Sequence, residues 1–455
     1  MKEQSEALGT EKISKLLVKL SIPSTIGMTV MALYNLVDTI FVGQGVGTMA
    51  IGGLAIVMPI QMLVFAAAMV LGTGGSSVIS RALGENNEER TSRTFGNLIT
   101  LTFIMGILLT AGGYLFARPL LFLFGAQGEI LPFATDYFLV VFAGTPFLSY
   151  AMIFNAIIRA EGDARSAMMV MITASIINIV LDPIFIFGLK WGVKGAAAAT
   201  VVSQTAAFLY MFLYYARGKS SIKFHFKHLA LKKAIVKEVF AIGASSLARH
   251  GAASALMAIL NHILYIYGGA LSVSVYGIIN RVFRVVFMPI FGIVQAYLPI
   301  TGFNYGAKNF SRVRETFWKS TIVSSVIITL IFAFLMIFAR QVMAVFSSDQ
   351  ALIEEGSYAI RIILLATPLI GFQVIGASYF QAIGKALPSF FLALSRQVLL
   401  LLPLVIILPR FWGLNGVWAS FPIADFLSAF ITTAMLIPEL RRLRQSTDAD
   451  INSTK

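Results

Sequence analysis

Asp38 stands in Leu33-Tyr-Asn-Leu-Val-Asp-Thr-Ile-Phe-Val-Gly43, an apolar run with no other charge. A carboxylate in hydrocarbon costs about 2.5–3.5 kcal/mol even on the milder insertion scales, so it is kept mainly where an ion, a proton or a substrate uses it. Tyr34 lies four residues before Asp38 and Asn35 three, so on a helix the three share a face. A second such acid, Asp182, has Asn178 four residues before it and Pro183 directly after. The proline has no N–H for the carbonyl of Ile179, which leaves a free backbone oxygen beside the Asn178/Asp182 turn. Carboxylate, amide and unpaired carbonyl are the oxygen ligands that a hard cation such as Na⁺ prefers. A proton needs only the carboxylate. The competing role for each acid is pairing with a buried Arg or Lys, and no such base lies deep in the first half of the chain.

The second half is electrically the reverse. Arg249, His250, Arg281, Arg284, Arg361 and Arg396 fall within apolar runs, and Asp425 is the one acid well inside. Arg281 and Arg284, three residues apart, share a helix face. Pairing of one arginine with Asp425 is the expected structural role. Arg249, Arg281, Arg284 and Asp425 are also the candidates for gating or for meeting substrate, the arginines by binding an anionic group. There is no Cys, no Gly-x-x-x-x-Gly-Lys-Ser/Thr loop and no Gly-x-Ser-x-Gly elbow, so thiol chemistry, nucleotide-driven work and that hydrolase class are excluded. No convergent nucleophile, base and metal set marks an enzyme, and no cofactor is expected beyond H⁺ or Na⁺ as a coupling ion. Gly72-Thr-Gly-Gly75 reads as close helix packing. His225 and His228, beside Lys223 and Lys227, read as a membrane-surface stretch.

These residues must be positioned by membrane-spanning helices. Of 455 residues 58% are hydrophobic and 12% charged, with a mean hydropathy of +0.83; soluble domains carry roughly 25% charge. Apolar runs of spanning length predict helices at 15–43, 50–80, 94–116, 131–157, 166–188, 195–216, 235–267, 271–302, 316–339, 353–382, 389–408 and 414–438. Period-2 alternation, the mark of a β-barrel, is missing. The net charge of +14 does not point to nucleic acid, because Lys and Arg crowd into alternate connections. The opposite set holds only Arg118, Lys190, Lys194, Arg340 and Arg410. By the positive-inside rule both termini are cytoplasmic, which requires an even number of spans. The 18 Met and 37 Phe read as packing and lipid contact.

The chain also repeats itself. Gly84-Glu-Asn-Asn-Glu-Glu-Arg90 matches Gly306-Ala-Lys-Asn-Phe-Ser-Arg312, Phe154-Asn-Ala-Ile157 matches Phe380-Gln-Ala-Ile383, and Trp191-Gly-Val-Lys-Gly195 matches Trp412-Gly-Leu-Asn-Gly416, in the same order. The expected organisation is an N-terminal six-helix lobe (1–216), a basic cytoplasmic linker (217–234), a C-terminal six-helix lobe (235–440) and a polar cytoplasmic tail (441–455). Parallel repeats of this kind are a transporter architecture. On the repeat, Asp182 falls on Pro403, so a coupling site would belong to the first half alone.

Several stretches resemble the multidrug and toxic compound extrusion (MATE) family. They are Ser21-Ile-Pro23 followed by Tyr34–Gly43, Arg81-Ala-Leu-Gly84-Glu-Asn, Asn178-Ile-Val-Leu-Asp182-Pro183, Gly195-Ala-Ala-Ala-Ala-Thr200 and Gly302-Phe-Asn-Tyr-Gly-Ala-Lys308. The resemblance covers about residues 12–440. It implies an all-α polytopic membrane protein, twelve transmembrane helices in two pseudo-symmetric six-helix lobes forming a V around a central cavity. It implies export of drug-like, often cationic, amphipathic compounds in exchange for H⁺ or Na⁺, hence antibiotic resistance, from the cell inner membrane by a monomer that touches lipid and no nucleic acid. It places the cation site at Asp38, Asn178, Asp182 and Thr200, with Tyr137 and Asn155 as polar neighbours and Pro23 as the bending point of the first helix. Some members carry acids in the C-terminal lobe; this chain has Arg249-His250 and Pro403 there. The alternative expectation is a flippase for a lipid-linked or anionic amphipathic substrate, the arginines gripping its phosphate.

Overall fold

The computed structural model describes residues 3–453. Met1 and Lys2 of the expected N-terminal lobe, and Thr454 and Lys455 of the expected tail, lie outside the described residues. Helices α1 (Glu3–Thr10) and α2 (Ile13–Gly45) lead into α3 (Thr48–Gly84), α4 (Glu88–Leu115), α5 (Ala117–Leu123), α6 (Ile130–Ala143), α7 (Thr145–Ala160), α8 (Ala164–Pro183) and α9 (Gly192–Ala216). Then follow α10 (Lys233–Val286), α11 (Met288–Gly306), α12 (Phe310–Phe346), α13 (Gln350–Ile363), α14 (Ile370–Ala382), α15 (Ala386–Leu394), α16 (Leu402–Ile407), α17 (Pro409–Trp412) and α18 (Leu414–Ser453). Among the described residues there is no strand.

Among the described residues ten helical stretches are long and apolar enough to cross a membrane, and α6 with α7, bent by 53° about Gly144, make an eleventh. The twelfth is inside α10. Its 54 residues would extend about 80 Å at 1.5 Å per residue, against about 30 Å of hydrocarbon. Gly269 breaks it with φ 67° and ψ −164°. Leu256, Leu260 and Leu264 before the break and Val275, Ile279 and Val282 after it enter one core cluster, so the two segments lie side by side. The twelve spans begin and end within about seven residues of those predicted from hydropathy, the last counted to Gln445.

The repeat is visible in the backbone. Gly47 and Gly269 both take positive φ, 106° and 67°, as do Gly162 and Gly384 at 90° and 78°, and Asn86 and Lys308 at 53° and 57°. Asn87 caps α4 by accepting from the Arg90 amide at 2.9 Å. Its counterpart Asn309 caps α12 by accepting from the Arg312 amide at 3.3 Å. Each half therefore turns its chain with the same device at the same register.

By packing, Met1–Ala7 with Pro23–Gly243 form one unit, and Leu8–Ile22 with Ala244–Lys455 another. The first unit takes in the basic stretch after α9. Asn97 on α4 donates to the carbonyls of His228 and Ala230 at 3.1 and 3.0 Å and accepts from the Lys232 amide at 2.7 Å. Gly96 allows this approach, since a Cβ there would stand 2.4 Å from the His228 oxygen. His228 is 4% exposed, which corrects its reading as part of a surface stretch. The start of α10 meets α3 in the same manner: a Cβ on Gly74 would lie 2.0 Å from the Val239 oxygen, and one on Gly243 2.0 Å from the Val70 oxygen. Glu238 then accepts from Arg81 and Arg90 at 3.0 and 2.9 Å. In the second unit Tyr297, Phe317, Tyr379 and Phe380 fill one core, and Trp418 with Leu260 and Ile360 another.

Glu161, in the turn between α7 and α8, is 1% exposed. It accepts from the Ser220 hydroxyl at 2.7 Å and the Ser221 amide at 2.6 Å. Burial outweighs these donors and pushes its carboxyl up to about 7, with nearby Asp163 adding to the rise. The folded protein thus holds this proton more tightly than the unfolded chain. Its stabilising effect is complete below the ordinary carboxylate value of 4.5 and is lost as pH rises through about 7. The melting temperature of purified protein should fall by several degrees between about pH 4.5 and 7, and Glu161→Gln should flatten that fall. An unaltered slope in the variant would assign the fall to another group.

Candidate cation site

Helix α2 passes through Pro23 without interruption, although the ring removes the N–H that would bond the Lys19 carbonyl. Beyond it the helix delivers Asp38, 9% exposed. α8 delivers Asn178 and Asp182, each fully buried, and ends at Pro183, after which Ile184–Gly188 widen into a π-helical turn. α9 adds Thr200, 8% exposed.

All four converge within the first unit. The Asp38 and Asp182 carboxyl groups lie close enough to act directly on each other. The Asn178 side-chain amide lies 3.4 Å from Asp182 Oδ1 and 3.4 Å from Thr200 Oγ1, long contacts that leave one N–H₂ group divided between two acceptors. Asp38 Oδ1, Asp182 Oδ2 and Asn178 Oδ1 are buried with no donor. Neither acid has an ion-pair partner among the described residues. A buried acceptor without a donor costs about 1–3 kcal/mol, more when charged, so three together are expensive unless something positive sits among them. A small cation or a proton is the species that fits: it needs oxygens, and oxygens are what the site leaves unsatisfied. Among the described residues no group of three or more metal-ligating His, Cys, Asp or Glu side chains occurs, so a transition-metal centre has no ligands here.

Of the neighbours, Tyr34 and Tyr137 lie near both acids, and the Tyr137 hydroxyl is in bonding reach of Gln61. Asn35 is exposed and donates to the Met31 carbonyl at 2.8 Å. Asn155 does not join the site. Its amide donates to the Ala167 carbonyl at 2.8 Å, about four turns of α8 before Asp182, and Arg159 occupies its oxygen. Sequence reasoning missed Gln61. Gln204, one turn beyond Thr200 on α9, has its Oε1 buried and unpaired but directed at Gly144, where a Cβ would stand 2.9 Å from it.

In the second unit Arg396, on the π-helical turn Ser395–Leu401, donates to Asp425 Oδ1. Asp425 is 2% exposed, so this acid is neutralised by its partner. Arg281 and Arg284 are exposed and Arg249 half-buried.

The MatE family profile matches residues 23–184 and 251–407. The chain belongs to the MatE family. MATE proteins are transporters and not enzymes, and this one is a multi-pass membrane protein. It is 27% identical over 437 residues to the multidrug export protein MepA of Staphylococcus haemolyticus, covering 96% of this chain and 95% of that one. It is 29% identical over 427 residues to the FAD transporter of Shewanella oneidensis, covering 91% and 92%. A solved structure of the MATE multidrug transporter DinF-BH superposes with a TM-score of 0.89 at 42% identity, covering 98% of this chain and 99% of that one.

Proposed function

We propose that this MATE transporter is a multidrug efflux antiporter, driven by H⁺ or Na⁺ exchanged at Asp38, Asn178, Asp182 and Thr200. The observation that carries this reading is a pair of buried carboxyl groups facing each other with unsatisfied oxygens and no base beside them. The names of its relatives, multidrug export protein and multidrug transporter, support the substrate class. The FAD transporter widens it toward a phosphate-bearing compound. No cofactor enters this reading. The protein acts as a monomer in the cell inner membrane with both termini cytoplasmic.

Coupling needs a difference in ion affinity between two conformations, for an ion bound equally well in both shifts nothing. Loading of the acid pair from outside, where cation is abundant, draws α2 toward α8 and bends it at Pro23; release inside reverses this. One charge moved through 100 mV supplies about 2.3 kcal/mol, enough for a roughly fiftyfold gradient of a neutral substrate. The test is efflux of a cationic dye from proteoliposomes under separately imposed proton and sodium gradients. One gradient should drive efflux and the other should not. Efflux indifferent to both would overturn ion coupling.

A further inference from the structure

We infer that Arg249, Arg281 and Arg284 form an anion-binding stretch in the second unit, which takes the carboxylate or phosphate of an amphipathic aromatic substrate. The inference rests on the transport reading above and names the substrate class for it. Arg249 stands at the midpoint of the first segment of α10, between Lys233 and Gly269, and Arg281 and Arg284 stand about 18 and 22 Å beyond that break. All three therefore belong to spanning segments. None has an ion-pair partner among the described residues. Of the arginines deeper in the spans of this unit, Arg396 is occupied by Asp425 and Arg361 by the Met336 carbonyl. A guanidinium that is neither paired nor able to face lipid tails must face water or a ligand.

The repeat shows that the scaffold does not demand these charges. Gly47 and Gly269 fix the register of the leading hairpins. In that register the counterparts of Arg249, Arg281 and Arg284 are Gly27, Pro59 and Met62, and the counterpart of Asp38 is Leu260, fully buried in a core cluster. One half keeps unpaired acids and the other unpaired bases on the same frame. The first unit builds its equivalent helices without the arginines, so packing does not explain them.

The surroundings narrow the ligand. Phe283 and Phe287, on either side of Arg284 in sequence, have ring centroids 5.4 Å apart and pack against the core clusters of the unit, and the planar guanidinium can itself stack on a flat aromatic body and fork a bidentate oxyanion. The same anionic chemistry could be offered by a lipid headgroup, and the assay separates the two sources.

Proteoliposomes of phosphatidylcholine, with and without phosphatidylglycerol, would be assayed for efflux of carboxyfluorescein as the aromatic anion and ethidium as the cation. The wild-type protein should move both. Arg281→Gln with Arg284→Gln should lower the anion-to-cation efflux ratio at least tenfold, mainly through a higher half-saturation concentration for the anion; Arg249→Gln should lower it less. Arg284→Lys, which keeps charge and loses the fork, should fall between. Thermal unfolding of each variant reports folding separately. If wild-type protein moves ethidium and not carboxyfluorescein, or if the ratio is unmoved in folded variants, the inference is overturned while the antiporter reading stands. A ratio that responds to the arginines only when phosphatidylglycerol is present assigns the site to a headgroup and also overturns it. Movement of neither dye removes both readings.

Discussion

Asp182→Asn should cut ion-driven efflux at least about tenfold while the purified protein melts no lower than wild type. Asp38→Asn should do the same. The two outcomes together are what distinguishes a working site from a packing feature. Asn is nearly the same shape as Asp, so the helix contacts of α2 and α8 survive. What it removes is the second negative charge of a pair that no base balances, and with it the reason for a cation to enter. Asp182 Oδ2 and Asp38 Oδ1 are buried without donors, so an amide that can donate as well as accept relieves a penalty of about 1–3 kcal/mol. Gain or constancy of stability with loss of function is the pattern expected where activity keeps a locally unfavourable arrangement. Efflux of proteoliposomes under the driving gradient, beside a melting curve of each variant, makes the measurement. Normal efflux in both variants would remove the acid pair from the mechanism. A collapse of melting temperature in both would make it structural.

The acids were legible because a carboxylate inside an apolar run has few physical uses, and Asn178 because a spacing of four puts it on the same helix face. The number of spans was legible for a similar reason: alternating basic connections demand an even number of crossings, so the break within α10 was required before Gly269 was seen. Convergence of helices distant in sequence was not legible. Thr200 entered through family resemblance, and nothing in the local sequence brings α9 against α8. Asn155 entered the same way, but its amide turns to the Ala167 carbonyl. Gln61 was missed because an amide among apolar residues reads the same whether it faces a site or a neighbouring helix. His228 looked solvated from its lysine neighbours; its burial depends on Gly96, some 130 residues earlier, lacking a side chain. Among six basic residues in the second half, which one meets Asp425 depends on the π-helical turn that aims Arg396 at α18, and no local rule announces that turn.

That pair carries the second large expectation. Arg396→Met should destabilise the protein by about 3–5 kcal/mol, because it leaves the Asp425 carboxylate, 2% exposed, without its neutralising partner. Arg396→Met combined with Asp425→Leu should recover most of that loss, since replacing both members of a buried ion pair by apolar groups of similar size is often neutral or better. Asp425→Asn alone should cost less than Arg396→Met. The remaining arginine is about one-third exposed at its side chain and can reach water, whereas the carboxylate cannot. Melting temperatures of the two single variants and the double variant close a thermodynamic cycle. Efflux by the double variant then separates packing from gating. A stable double variant that transports assigns the pair to structure, and leaves Arg249, Arg281 and Arg284 as the uncompensated positive charge of the second unit. A stable double variant that does not transport would make the Arg396–Asp425 bond itself part of the conformational cycle, as a contact that must open and close.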